Sequence, residues 1–90
     1  MSLMERDVRA FYETRRREAR EARQCAAFFL MSGIDLSAAL KTTGHERTMI
    51  LLRLGRLLER ERLKGARGHW SYDLNRHIAL KQAYDRLKPL

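Results

Sequence analysis

The feature that most constrains this chain is where its backbone can break. Its one proline is Pro89, beside the C-terminus, and four of its five glycines fall in three narrow windows, at Gly33, at Gly44 and at Gly65 with Gly68. The stretches between those windows are long enough for helices of several turns and lack the closely spaced turn signals that short strands need at their ends. Strand formers are scarce as well. Val and Ile together number four, whereas Leu, Ala, Arg and Glu, all strong helix formers, dominate. The expectation is an all-α fold, a small bundle of about four helices with a long first, a short second, a central third and a C-terminal fourth. Ninety residues support one core, so residues 1–90 are read as a single helical domain. Met4 offers a second translational start, which would make Met1 to Leu3 an appended remnant.

Periodicity predicts helix one over about 3–32. Val8, Phe11, Tyr12, Ala19, Ala22, Ala26, Phe29 and Leu30 recur at three- and four-residue steps and make one apolar face. Gly33 should end this helix in the left-handed conformation, with Phe29 and Ile34 in the contact of a Schellman motif. From Glu13 to Gln24 nothing apolar is larger than Ala. There Glu13 with Arg17, and Arg17 with Glu21, are spaced for ion pairs of about 0.2–0.5 kcal/mol each.

Asp35 is the expected cap of a short helix over 36–41. Thr43 and Glu46 spell a capping box that starts a third helix, ending at Gly65. On that helix Ile50, Leu51, Leu54, Leu57 and Leu58 share a broad face, while Met49, Leu52 and Leu63 lie on a second. A helix apolar on two sides belongs in the middle of a bundle, and Gly55 would admit a close neighbour. Ser71 is read as the cap of helix four over 72–88, with Pro89 closing it.

Charge is the other strong signal. Nineteen Lys and Arg against 11 Asp and Glu leave a net charge of +8, and 15 of the basic residues are Arg. The excess is spread along the chain. A row remains on helix three, where Arg53, Arg56, Arg60 and Lys64 fall within about 80° of one another on a helical wheel, with Glu59 and Glu61 read as pointing away from it. Such a row suits phosphates or an acidic protein partner. The segment 35–60 also has the order of a helix-turn-helix, which would put Arg47 at the start of a recognition helix. Trp70 and Tyr72, interleaved with Arg67 and Arg76, can stack bases, although Trp70 reads first as packing back on the start of helix four.

Enzymatic chemistry finds little footing. Cys25 is the one cysteine and sits among Ala and Phe, so it reads as a small core residue without an activating His. No glycine-rich phosphate loop and no paired carboxylates on an apolar background occur. His69, Asp73 and His77 would share a face of a continuous helix, but a cap at Ser71 leaves His69 outside it, so no metal is expected. Catalytic and cofactor-binding residues are read as none, and no small-molecule substrate is evident. The longest apolar run, Cys25 to Met31, is far short of the roughly 20 residues that cross a bilayer, and the first ten residues mix acids with bases, unlike a signal peptide.

The sequence thus predicts a small cytoplasmic protein-interaction or regulatory adaptor with no catalytic activity and no membrane partner. Helix one is too long for helix two to cover, which predicts a homodimer. The alternative is a nucleic-acid-binding regulator that uses the helix-turn-helix-like segment at 35–60.

Overall fold

The computed structural model describes residues 2–89. It contains α1 (Leu3–Ser32), α2 (Leu36–Ala39), α3 (Gly44–Ala66) and α4 (Leu74–Leu87), with no strand among the described residues. Helices hold 81% of the described residues, so the all-α expectation is met.

Local chemistry sets each boundary, and in several places it differs from the sequence reading. The Ser2 hydroxyl accepts from the Glu5 amide at 3.1 Å while the Glu5 carboxylate accepts from the Ser2 amide at 3.2 Å. This capping box satisfies two of the free donors at the start of α1. At the other end Gly33 is left-handed (φ +72°) and donates to Phe29 O at 2.7 Å. The expected Schellman contact is replaced by a simpler one-bond ending. Ser32 is the reason: its hydroxyl donates to Phe28 O at 2.7 Å and accepts the Ile34 amide at 3.1 Å, so that amide does not turn back to the helix.

The box expected from Thr43 and Glu46 does not form, because Thr43 makes no side-chain cap bond. Gly44 follows it directly at φ +59°, whereas a capping box needs a helical residue there. α3 continues through Gly65 to Ala66, and Gly68 (φ +63°) is the residue that closes it. His69 N–H donates to Lys64 O and Gly68 N–H to Gly65 O, the paired bonds of a Schellman motif. Helix four starts at Leu74, later than expected. Its cap is Asp73, whose Oδ1 accepts from the Asn75 and Arg76 amides, while the Ser71 amide and hydroxyl both turn to His69 Nδ1.

Phe28, Ile34, Leu36, Ala39, Leu54, Leu80, Ala83 and Leu87 form the core, with Leu54 wholly enclosed at 0% exposure. α3 packs chiefly on α4. α1 reaches this core only through Cys25, Phe28, Met31 and Ser32 in its last two turns. Nothing therefore lies over the second apolar side of α3, and Met49, Leu52 and Leu63 face solvent. The expectation of a helix surrounded on all sides is corrected on this point.

Residues 3–24 of α1 are exposed all round. A compact chain of this length has a radius of gyration of about 12 Å; here it is 17.2 Å, with a longest extent of 56 Å. The difference comes from α1, a rod of about 45 Å at 1.5 Å per residue.

Candidate interaction surfaces

The basic row on α3 divides into used and free members. Arg53 Nη2 donates to Ser32 O at 3.1 Å. α1 has no basic residue in its own last turn, so Arg53 supplies from α3 the positive charge that a helix C-terminus favours. Lys64 Nζ lies 3.7 Å from Glu61 Oε1, which corrects the reading of Glu61 as pointing away. Arg47 is half-buried, and its Nε is enclosed without a hydrogen-bond partner among the described residues, so it is poorly placed as a freely presented reader of bases. Thr48, beside it, donates its hydroxyl back to Gly44 O, and α2, at four residues, is a single turn. Arg56 and Arg60 remain exposed and without an ion pair among the described residues.

Glu61 is the polar centre that sequence reasoning missed. Only 3% exposed, it accepts from Arg76 Nε at 2.9 Å through Oε1, while Oε2 is enclosed with no partner among the described residues. Arg76 also donates to Ser71 O at 2.6 Å, so one guanidinium ties α3, the turn after it and α4 together. A Glu near the C-terminal end of a helix ordinarily faces water. The signal that distinguishes this one is distal, an Arg 15 residues on that folds back beside it. Glu59, by contrast, is exposed and bonded to Arg62 at 2.6 and 3.0 Å. Those hydrogen bonds hold its carboxyl below the usual range and raise Arg62.

Trp70 and Tyr72 separate. Trp70 is 89% exposed, so the packing role read from sequence does not hold; Asp73 begins α4 three residues later and leaves the indole outside the first turn. It stacks on the His69 ring at 5.6 Å. Ser71 N–H donates to His69 Nδ1, which makes that nitrogen an acceptor and the Ser71 hydroxyl, 2.8 Å away, its donor. These bonds organise an exposed turn. Tyr72 is half-buried, its hydroxyl 2.8 Å from His77 Nδ1 and its ring against Gly65. The two histidines are thus engaged at different partners, and no group of three or more His, Cys, Asp or Glu suited to a metal occurs among the described residues.

The largest unpartnered surface is on α1. Met4, Val8, Phe11, Tyr12, Phe29 and Leu30 are all exposed, Leu30 at 85%. On a helical wheel they share one stripe with Arg15, Ala19, Ala22 and Ala26, roughly 120° from the face that meets the core. Arg15 lies over the Phe11 ring at 5.6 Å. The Glu13–Arg17 and Arg17–Glu21 pairs expected from spacing are absent; the ion pairs of the described residues all lie in α3, α4 and Lys88. Near the body, Leu30 borders a groove of about 810 Å³ between α1 and α4, floored by Phe28, Met31, Ile78 and Ala79.

No helix among the described residues is long and apolar enough to cross a membrane. Comparison with family models, with curated proteins and with solved structures finds no match, so what this chain does must be argued from its own surfaces.

Proposed function

We propose that this chain is a helix-presenting interaction module, a non-catalytic protein-interaction or regulatory adaptor that works in the cytoplasm as a homodimer. One observation carries the reading: α1 leaves the body with residues 3–24 exposed on every side, yet carries Met4, Val8, Phe11 and Tyr12 along one stripe. Scattered exposed apolar residues are ordinary, but an aligned set on a projecting helix is what helix-mediated recognition uses. Tagged chain and its Val8→Glu/Tyr12→Glu variant, compared by co-precipitation with a second, differently tagged copy and with native extract, test this. Association by the parent that the variant loses supports it. Equal behaviour of the two overturns it.

The nucleic-acid reading draws support from a different observation. Arg15, Arg16, Arg17, Arg20 and Arg23 of α1, with Arg56 and Arg60 of α3, make no ion pair among the described residues. A polyanion site of this kind would show a log affinity falling with log salt, by about 0.9 for each phosphate neutralised on duplex DNA. Retention lost at modest salt, with no preference for any sequence, leaves only the general attraction of a +8 chain.

A further inference from the structure

We infer that the α1 stripe is covered by α1 of a second copy, running antiparallel in the register at which residues i and 34 − i face each other. This rests on the interaction-module reading and names its partner. Two observations select the arrangement, and a third gives it a salt signature that distinguishes it from a parallel pair.

The first is area. Met4, Val8, Phe11, Tyr12, Phe29 and Leu30 together expose roughly 700 Å², close to the about 800 Å² that each partner contributes to a standard stable interface. The stripe can therefore supply a large part of the area a dimer needs.

The second is shape. Large side chains occupy both ends of the stripe and alanines its middle. Antiparallel pairing sets Val8 against Ala26 and Tyr12 against Ala22 of the other copy, so large meets small at these two layers. It also brings Met4 to Leu30, at the mouth of the α1–α4 groove. Parallel pairing would stack Phe11 on Phe11 and Ala22 on Ala22. Two straight helices cannot then touch at the alanines and clear the aromatic rings at once. Among antiparallel registers, this one overlaps the 30 residues of α1 nearly end to end.

The third is charge. Arg15 lies within the stripe, over Phe11. In a parallel pair it would face itself; in the antiparallel pair it faces Ala19 and lies beside Glu18 of the other copy, twice by symmetry. Arg9, Arg16 and Arg23 recur every seven residues on one flank, and two-fold antiparallel pairing turns that flank toward itself. These rim arginines repel, so association should strengthen with salt, by about fivefold between 50 and 500 mM. A parallel pair would set the same arginines against Asp7 and Glu18 and weaken with salt.

The decisive experiment uses the full chain carrying Cys25→Ala, with Val8→Cys and Ala26→Cys introduced in separate preparations. Sedimentation of each first measures dimer formation, and mild oxidation then traps neighbours. The expected result is a dimer in which neither variant crosslinks alone and the mixture gives the 8–26 disulfide. Crosslinking of Val8→Cys to itself overturns the antiparallel register while leaving the module reading intact, as does a dimer that neither the variants nor their mixture trap. A monomer at several hundred micromolar overturns the self-association altogether, whereas equal behaviour of the parent and the Val8→Glu/Tyr12→Glu variant toward native extract is needed to sink the module itself.

Discussion

Arg53→Ala separates the structural from the available members of the α3 row. In the structure the Arg53 guanidinium donates to Ser32 O at 3.1 Å, and Gly33 leaves room for it, since a Cβ there would lie 3.1 Å from Nη2. A hydrogen bond from a charged donor contributes about 1.5–3 kcal/mol when sheltered. Arg53 is largely exposed, so about half of that is reasonable, and its charge at the α1 C-terminus adds about 0.3–1 kcal/mol. The expected loss is about 1–2.5 kcal/mol, or roughly 5–14 °C in Tm for a domain of this size. Arg56→Ala, three residues on and equally basic, should change stability by less than about 0.5 kcal/mol. Arg53→Lys should recover the dipole contribution alone. Urea denaturation followed by circular dichroism, in the Val8→Glu/Tyr12→Glu background so that association adds nothing, reads all three. If Arg53→Ala and Arg56→Ala agree within about 0.3 kcal/mol, the cap has no energetic content and the whole row is solvated surface.

Two glycines of α3 should respond to alanine with opposite signs. At Gly55 a new Cβ meets Tyr84 at 3.9 Å, ordinary contact, so Gly55→Ala should stabilise by about 0.5–1 kcal/mol through helix propensity. At Gly65 the same atom would come within 2.9 Å of the Tyr72 ring, and Gly65→Ala should cost about 1–2 kcal/mol despite the same propensity gain; matched thermal melts decide it. Glu61→Ala should cost about 2 kcal/mol, below the usual range for breaking a buried pair because Arg76 is one-third exposed. Glu61→Gln, which keeps an acceptor for Arg76, should cost less, and equal losses would refute the pairing. Hydrogen bonds from Lys81, then Lys88, hold the Asp85 carboxyl below its usual range. A depressed acid contributes its stabilisation above the unfolded value, near pH 4, and loses it as pH falls through the folded one; NMR titration of Asp85 should show the depression shrink in Lys81→Ala.

Much of the fold was legible because it rests on local rules. Proline and glycine placement marked the helices, and the apolar face of Leu54 on α3 marked the core. What failed was decided at longer range. Whether Thr43 or Ser71 caps a helix depends on residues just beyond it: Gly44 takes a positive φ, and Asp73, two residues after Ser71, supplies the acceptor for the first amides of α4. The basic row looked uniform from spacing alone, since only the arrival of α1 shows that Arg53 has an occupied carbonyl beside it. Glu61 was misplaced for the same reason, its partner Arg76 lying in another helix. Met49, Leu52 and Leu63 carried the pattern of a buried side, but no helix was left to cover them once α1 projected away.

The projecting part of α1 has a consequence for how the protein can be observed. A lone helix in water is held only by its own ladder and caps, without the packing that stabilises most helices in proteins. Any partner that covers the stripe therefore also supplies the support that residues 3–24 lack. Ordering and docking become one coupled equilibrium, and mean residue ellipticity should rise with protein concentration as the rod stops fraying. The chain carries its own gauge of occupancy, readable without a label.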